Sequence, residues 1–157
     1  MKFNTRIRYG IRTMLELSLN DSSEGVFQKD IAINQDISIK YLDHIIVALK
    51  TAGLIRNAGG KKSGYKLTRD AKEITMLDIY HAFEPGFSVN ECAYNSSSCP
   101  RIRICAVKGF WAGLNALMID YFRSVTLEDI TTNQVTIEGL SGGEKCPIHS
   151  EIEEDNF

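Results

Sequence analysis

No stretch of about 18 apolar residues occurs anywhere in the 157-residue chain, which excludes a membrane-spanning helix of ordinary length. Nor does an apolar segment follow the charged opening MKFNTRIRYG, so no secretory leader is expected and the cytoplasm is the expected compartment. Cysteine is scarce, with four residues, and a reducing compartment gives little use for them as a disulfide framework. Metal binding or thiol redox chemistry is the better default. A glycine-rich phosphate loop, an H-E-x-x-H sequence and a paired-carboxylate motif are all missing. A small thiol catalyst built on Cys99 with a histidine base would rest only on the presence of both residue types, so the chain is not expected to be an enzyme. No internal repeat stands out.

Net charge is also small, -2, but it conceals two opposed halves. Residues 1–72 carry 13 Lys and Arg against 7 Asp and Glu, whereas residues 73–157 carry 5 against 13. A basic half concentrates phosphates by releasing their counterions, and an acidic half is repelled from the same polyanion. Any nucleic acid therefore meets the first half.

Ile7, Ile11, Met14 and Leu15 recur at helical spacing over residues 5–19, with Arg6, Arg8 and Arg12 on other faces, predicting an amphipathic helix. After the turn-forming DSSEG at 21–25, a short helix is expected around 29–34. Asp36 and Ser38 then supply a turn and an N-cap for a longer helix whose stripe is Leu42, Ile45, Ile46 and Leu49, stopped by Gly53. Residues 54–56 and 65–67 read as strands around NAGGKKSG, a hairpin with Lys61 and Lys62 at its tip. Thr75 caps a helix over 76–83 that Pro85-Gly86 ends. From Val107 the apolar set Val107, Trp111, Leu114, Met118, Tyr121 and Val125, flanked by Phe110, Leu117 and Phe122, predicts a long helix with a coiled-coil-like seam. Trp111, Leu114, Met118, Tyr121 and Val125 make a stripe too broad for the small first half to cover, so a second copy of the chain is the expected cover. A further short helix or turn follows residue 126, and the glycine-rich, acidic end is expected to be a flexible tail.

Short helix, turn, longer helix and basic hairpin, all in the basic half, make the layout of a winged helix-turn-helix. The expected fold class is thus mainly α: a winged helix-turn-helix domain over 1–86 with a small β-hairpin wing, a cysteine loop over 87–106, a long dimerisation helix and following turn over 107–132, and the tail over 133–157. The expected partner is double-stranded DNA. Candidate contacts are Gln28 in the first helix of the pair, Ser38, Lys40, Tyr41 and His44 at the head of the second, and Lys61 and Lys62 on the wing. Asp43 is the exception among them, a carboxylate that phosphates repel but that can accept from cytosine N4.

RYGIRTMLEL, KDIAINQDISIKYLDHII, LKTAGLIRNAGGKKSGYKL and EITMLDIYHAFE, followed by three cysteines and a long helix, resemble the Rrf2 family of bacterial regulators, the group of IscR, NsrR and RirA, over residues 1–132. The resemblance implies a transcription regulator that binds partly palindromic operators as a homodimer, with a cysteine loop beside the dimer helix that often holds a cluster. The wing GGKKSGY departs from the family's usual run of arginine, proline and glycine.

Cys92, Cys99 and Cys105 form C-x6-C-x5-C. Thiolates are soft ligands that select zinc, copper(I) or iron-sulfur clusters, and these gaps exceed the close pairs of zinc knuckles. Arg101 and Arg103 lie between two of them, where positive charge offsets a ligated anion. Spacing and resemblance together point to an iron-sulfur cluster, [2Fe-2S] or [4Fe-4S], sensing cluster status, iron, redox state or nitric oxide. The alternatives are cluster-free thiol/disulfide switching or zinc binding, a cluster-free regulator of cysteine metabolism that acts through a protein partner, and three inert thiols. The fourth ligand has no evident donor: Lys108 stands where some relatives have a histidine and Arg8 where others have an aspartate, which leaves Cys146 or His149 of the tail, His44, His81, or an exogenous thiol or water.

Overall fold

The computed structural model describes residues 4–60, 63–90 and 99–140. Six helices and one hairpin are present among them. Helix α1 (Thr5–Leu19) starts where the Asn4 side chain accepts a hydrogen bond from the Ile7 N–H, satisfying one of the amides that a helix start leaves without a partner. Helices α2 (Gln28–Asn34) and α3 (Ile39–Thr51) form the helix-turn-helix pair. Asp36 takes a left-handed φ of 49° in the turn between them, a conformation that aspartate tolerates better than most residues. Ser38 is the N-cap of α3 as expected, and Gly53 with φ 71° closes the helix. There the Gly53 N–H bonds the Lys50 carbonyl and the Leu54 N–H bonds the Leu49 carbonyl, the paired bonds of a left-handed helix end.

Strands β1 (Ile55–Asn57) and β2 (Tyr65–Leu67) pair antiparallel, with Ile55 opposite Leu67, Arg56 opposite Lys66 and Asn57 opposite Tyr65. Tyr65 also exchanges main-chain hydrogen bonds with Val26, which ties the wing to the segment entering α2. A 3-10 turn (Ala71–Glu73) leads into α4 (Met76–His81), which stops two residues short of the expected end. Helix α5 (Lys108–Ser124) follows the cysteine loop, and α6 (Leu127–Leu140) follows α5. The mainly α winged helix-turn-helix architecture is as the sequence predicts. Among the described residues no helix is long and apolar enough to cross a membrane.

The core is one cluster. Met14, Ile31, Leu42, Ile45, Leu49, Ile74, Ile79 and Leu127 are wholly buried in it, so α1, α2, α3, α4 and the start of α6 share a single interior. Burial of that kind contributes roughly 1.5–3 kcal/mol per large side chain. Among the described residues Glu16 is the one buried charged residue, 4% exposed, and its carboxylate accepts from Asn34 Nδ2 at 2.7 Å, Gln35 Nε2 at 2.7 Å and Asn20 Nδ2 at 3.0 Å. Arg12 completes the network by donating to the side-chain and main-chain oxygens of Gln35. These polar groups together pin the end of α2 to α1 and fix the angle at which the helix-turn-helix leaves the core.

Helix α6 corrects the expected tail, because residues 133–140 continue a helix instead of beginning a flexible segment. The Thr126 hydroxyl accepts from the Asp129 N–H at 3.2 Å while Asp129 Oδ2 accepts from the Thr126 N–H at 2.9 Å, a reciprocal cap that starts the helix firmly. Thr131 then donates to Ser18 on α1 at 2.8 Å. The β-branched, threonine-rich run offers little intrinsic helicity, so packing on α1 supplies what propensity lacks.

A short repeat, not evident from the sequence, accompanies this cap. Residues 74–79, ITMLDI, and 125–130, VTLEDI, start α4 and α6 with the same threonine–aspartate box. The two pair across Thr75 and Thr126, the Met76 N–H bonding the Val125 carbonyl at 2.9 Å and the Leu127 N–H the Ile74 carbonyl at 2.7 Å. The end of α5 is thereby fastened to the strand that enters α4.

Candidate nucleic-acid interface and cysteine loop

The outer face of α3 is polar and basic where the inner face is aliphatic. Lys40, Asp43 and His44 are exposed on it, while Leu42, Ile45, Ile46 and Leu49 are buried behind. The structure brings two of these residues into contact with others. Gln28 Nε2 donates to Asp43 Oδ1 at 2.6 Å, so the head of α2 and the second turn of α3 present one linked amide–carboxylate pair. His44 turns to a groove between α3 and α4 that it lines with Arg6, Val47, Thr51 and His81.

Two candidates have structural duties besides any contact with DNA. The Ser38 hydroxyl accepts from the Tyr41 N–H at 3.3 Å as the helix cap. Tyr41 is half-buried, its ring edge-on to Tyr9 at 5.5 Å. Lys61 and Lys62 at the wing tip lie outside the described residues. On either side of that gap Ser63 Oγ accepts from the Gly59 N–H and donates to the Gly60 carbonyl, both at 2.8 Å, which ties the described flanks together.

The wing base holds cations that sequence reasoning passed over. Arg56 and Lys66 are cross-strand partners, and among the described residues neither forms an ion pair. Lys50 of α3 donates to Asn57 Oδ1 at 2.7 Å and sits 5.7 Å from the Tyr65 ring centroid, bridging recognition helix and wing. These basic side chains have no run or motif in the sequence, since only the β1–β2 register and the return of α3 bring them together.

The cysteine loop begins at Phe87, which is buried against Tyr80 and Phe122 at ring separations of 4.6 and 5.0 Å. The Val89 N–H then donates to Asn115 Oδ1, on α5, at 3.0 Å. Cys92 lies outside the described residues, as do Cys146 and His149. Cys99 and Cys105 are half-buried at the two ends of a run of turns, in which the Ile102 N–H bonds the Cys99 carbonyl and the Lys108 N–H the Cys105 carbonyl. Arg101 and Arg103 between them are exposed. Among the described residues no three histidine, cysteine or acidic side chains converge where a metal ion could be held. Lys108 opens α5 from an exposed position, and no side chain caps that helix.

Helix α5 buries none of its residues fully within its own chain. Phe110, Leu117 and Tyr121 are 64%, 70% and 66% exposed, with Leu114 between them half-exposed. Within the single chain the expected seam divides in two. Met118 and Val125 pack against the chain's own core, as do Ile119 and Phe122, so the uncovered stripe is centred on Phe110, Leu114, Leu117 and Tyr121, with Trp111 at its edge. Periodicity identified the apolar arc but not which side of it the first half of the chain covers.

Comparison with known proteins agrees with this architecture. The family model described as Rrf2, iron-dependent transcriptional regulator, matches residues 3–133. Protein rrf2 of Nitratidesulfovibrio vulgaris strain Hildenborough is 35% identical over 130 residues, covering 83% of this chain and 87% of that protein. Among solved structures, CymR (YrzC), the global cysteine regulator of B. subtilis, superposes with a TM-score of 0.69 at 28% identity, over 85% of this chain and 98% of that one. T. potens IscR superposes with a TM-score of 0.68 at 26% identity, over 85% of this chain and 88% of the other. A basic winged helix-turn-helix, a cysteine loop and a bare apolar helix thus occur together in a chain that belongs to the Rrf2 family of DNA-binding transcription regulators.

Proposed function

We propose that this chain acts as a homodimer on a partly palindromic operator and that Cys92, Cys99 and Cys105 hold an iron-sulfur cluster whose presence sets its DNA affinity. The donor set fits such a group. Thiolates are the usual ligands of iron-sulfur clusters, the two described thiols are half-buried, and Cys105 precedes the uncapped start of α5 by three residues, where a helix favours negative charge. When bound, a cluster supplies reversible electron transfer and lability toward oxidants. Arg101 and Arg103 would offset its negative charge, with Cys99 in the turn closed by the Ile102 N–H and Cys105 in the turn that opens α5.

One observation carries the coupling. The cysteine loop runs directly into α5, and the far end of α5 is hydrogen-bonded through Val125 and Leu127 to residues 74–76 at the entry to α4. A shift of α5 thereby reaches the DNA-binding half without crossing a flexible linker, and two such halves on one operator convert it into a change of half-site fit. Support for the homodimer comes from the stripe of Phe110, Leu114, Leu117 and Tyr121, an apolar face of the size that a second copy covers. The test replaces Cys92, Cys99 and Cys105 by alanine and measures operator affinity with and without anaerobic iron and sulfide. Wild type is expected to respond and the variant not to; equal affinity in all four states would refute the coupling.

A second reading is supported by the likeness to CymR, which is as close as that to IscR. In it the same thiols switch by disulfide formation, or a protein partner binds, with no cluster involved. Iron and sulfide analysis of protein purified without air separates the two readings.

A further inference from the structure

One aliphatic side chain stands in the middle of the polar face of α3. Lys40, His44, Val47 and Thr51 recur every three or four residues, so they form a single stripe along the helix, and all four are exposed. The stripe lies opposite Leu42, Ile45, Ile46 and Leu49, which are buried in the core. Val47 is 63% exposed, so folding of its own chain gains little from it, and a β-branched residue forms helix less readily than the alanine that could stand there. Ala48, Thr51 and Ala52 beside it are small, which leaves the valine within reach of a flat ligand. The groove they line is bordered by Arg6, His44 and His81, and none of the described side chains lining it is acidic.

An exposed apolar group beside cationic and cation-forming side chains suits a polyanion that carries small apolar groups of its own. Duplex DNA is such a polyanion, because each thymine projects its C5-methyl into the major groove, where an aliphatic side chain can cover it. Lys40 and Val47 are seven residues apart, or about 10 Å along a helix, and the groove is about 12 Å wide. A helix that enters with Lys40 therefore carries Val47 in with it. We infer that Val47 reads a thymine methyl in each half-site of the operator and so sets sequence preference, where Lys40 sets affinity for any duplex. This rests on the reading of α3 as the helix that enters the major groove, and it is independent of what the cysteines hold.

The experiment uses the full chain purified without air and the duplexes it selects from an unmethylated random-sequence library, in which thymine alone carries a C5-methyl group. The selected duplexes are expected to share a thymine at one fixed position in each half-site. Replacing that thymine by deoxyuridine removes the methyl and keeps every hydrogen-bonding group, and fluorescence anisotropy gives the ratio of the two affinities. Wild type is expected to lose roughly three- to fivefold for the methyl of one half-site and roughly ten- to twentyfold for both, the effect of burying one methyl group at each. In Val47→Ala the ratio for one half-site should fall to roughly twofold or less, through weaker binding of the thymine duplex. Its thermal unfolding should stay at or above wild type, since alanine is the better helix former. Lys40→Ala should weaken both duplexes alike and keep the wild-type ratio. Selected duplexes with no thymine in common, a ratio unchanged in Val47→Ala, or a loss in Val47→Ala equal on both duplexes would each overturn the inference, while a weakened Lys40→Ala keeps α3 on the DNA. A Lys40→Ala variant that binds like wild type would remove α3 from the groove, and the inference with it.

Discussion

Replacing Arg56 by alanine should weaken DNA binding and strengthen the fold at once. Arg56 faces Lys66 directly across the wing ladder, two cations without an ion-pair partner among the described residues. Like charges in that position cost about 0.2–1 kcal/mol, so Arg56→Ala should raise unfolding free energy by an amount in that range at low salt, and by less as salt screens the repulsion. A duplex phosphate lying along the wing reverses the balance, because it neutralises both cations. Removing one cation that pairs with a phosphate lowers the slope of log affinity against log salt by about 0.9, so between about 50 and about 200 mM salt the ratio of wild-type to variant affinity should shrink roughly 3.5-fold. Fluorescence anisotropy with a promoter fragment over that range, alongside urea unfolding, measures both quantities. Arg123→Ala on α5, where the side chain is paired with Asp120 and remote from the wing, is the control and should leave the slope alone. A salt slope unchanged in Arg56→Ala, or a fold made weaker by it, would refute the placement of the wing base against the DNA backbone.

Glu16→Ala removes the buried carboxylate that accepts from the side-chain amides of Asn20, Asn34 and Gln35 and should cost about 1–3 kcal/mol in urea unfolding; a cost under about 0.5 kcal/mol would mean that the network is not the hinge of the helix-turn-helix. Gly113 has nothing of its own chain within 4 Å of where a Cβ would stand, so Gly113→Trp should leave helix content intact while shifting sedimentation from dimer to monomer, and an unshifted dimer would move the contact face elsewhere. The Asp129 carboxyl is held below its ordinary value by the Thr126 backbone N–H and then by the Thr126 hydroxyl. Its depressed pKa means that it stabilises the α6 cap above the ordinary carboxylate range and ceases to do so as pH falls through the folded value. Asp129→Ala and wild type should accordingly differ in thermal unfolding at neutral pH and converge in acid; a constant difference at every pH would contradict that role.

Local signals were readable wherever the physics is local. Ser38 and Thr75 as caps, Gly53 as a stop and the hairpin each depend on neighbours a few residues away; the caps and the stop stand where the pattern puts them, and the strands expected at 54–56 and 65–67 are found at 55–57 and 65–67. What escaped depends on distant partners. Asn115 has meaning only beside Val89, Glu16 only beside Asn34 and Gln35, and the helical state of 133–140 follows from the cap at 126–129 and the contact of Thr131 with Ser18. On α5 the spacing marks the apolar arc but not that Met118 and Val125 also pack on the chain's own core, because that contact too is made by distant partners. Cys92, Lys61 and Lys62 stand as sequence expectations.

Gly10 meets Phe83 so closely that a methyl group on it would lie 2.2 Å from the ring. The aromatic side chain, in the turn after the fourth helix, sits against bare backbone like a tooth in a notch, and the first helix cannot roll past that turn while it is seated. The first helix and the turn after the fourth are thereby seated together, and since residues 74–76 are also bonded to Val125 and Leu127, a displacement of the long helix is handed on to both and is not lost at a slack joint.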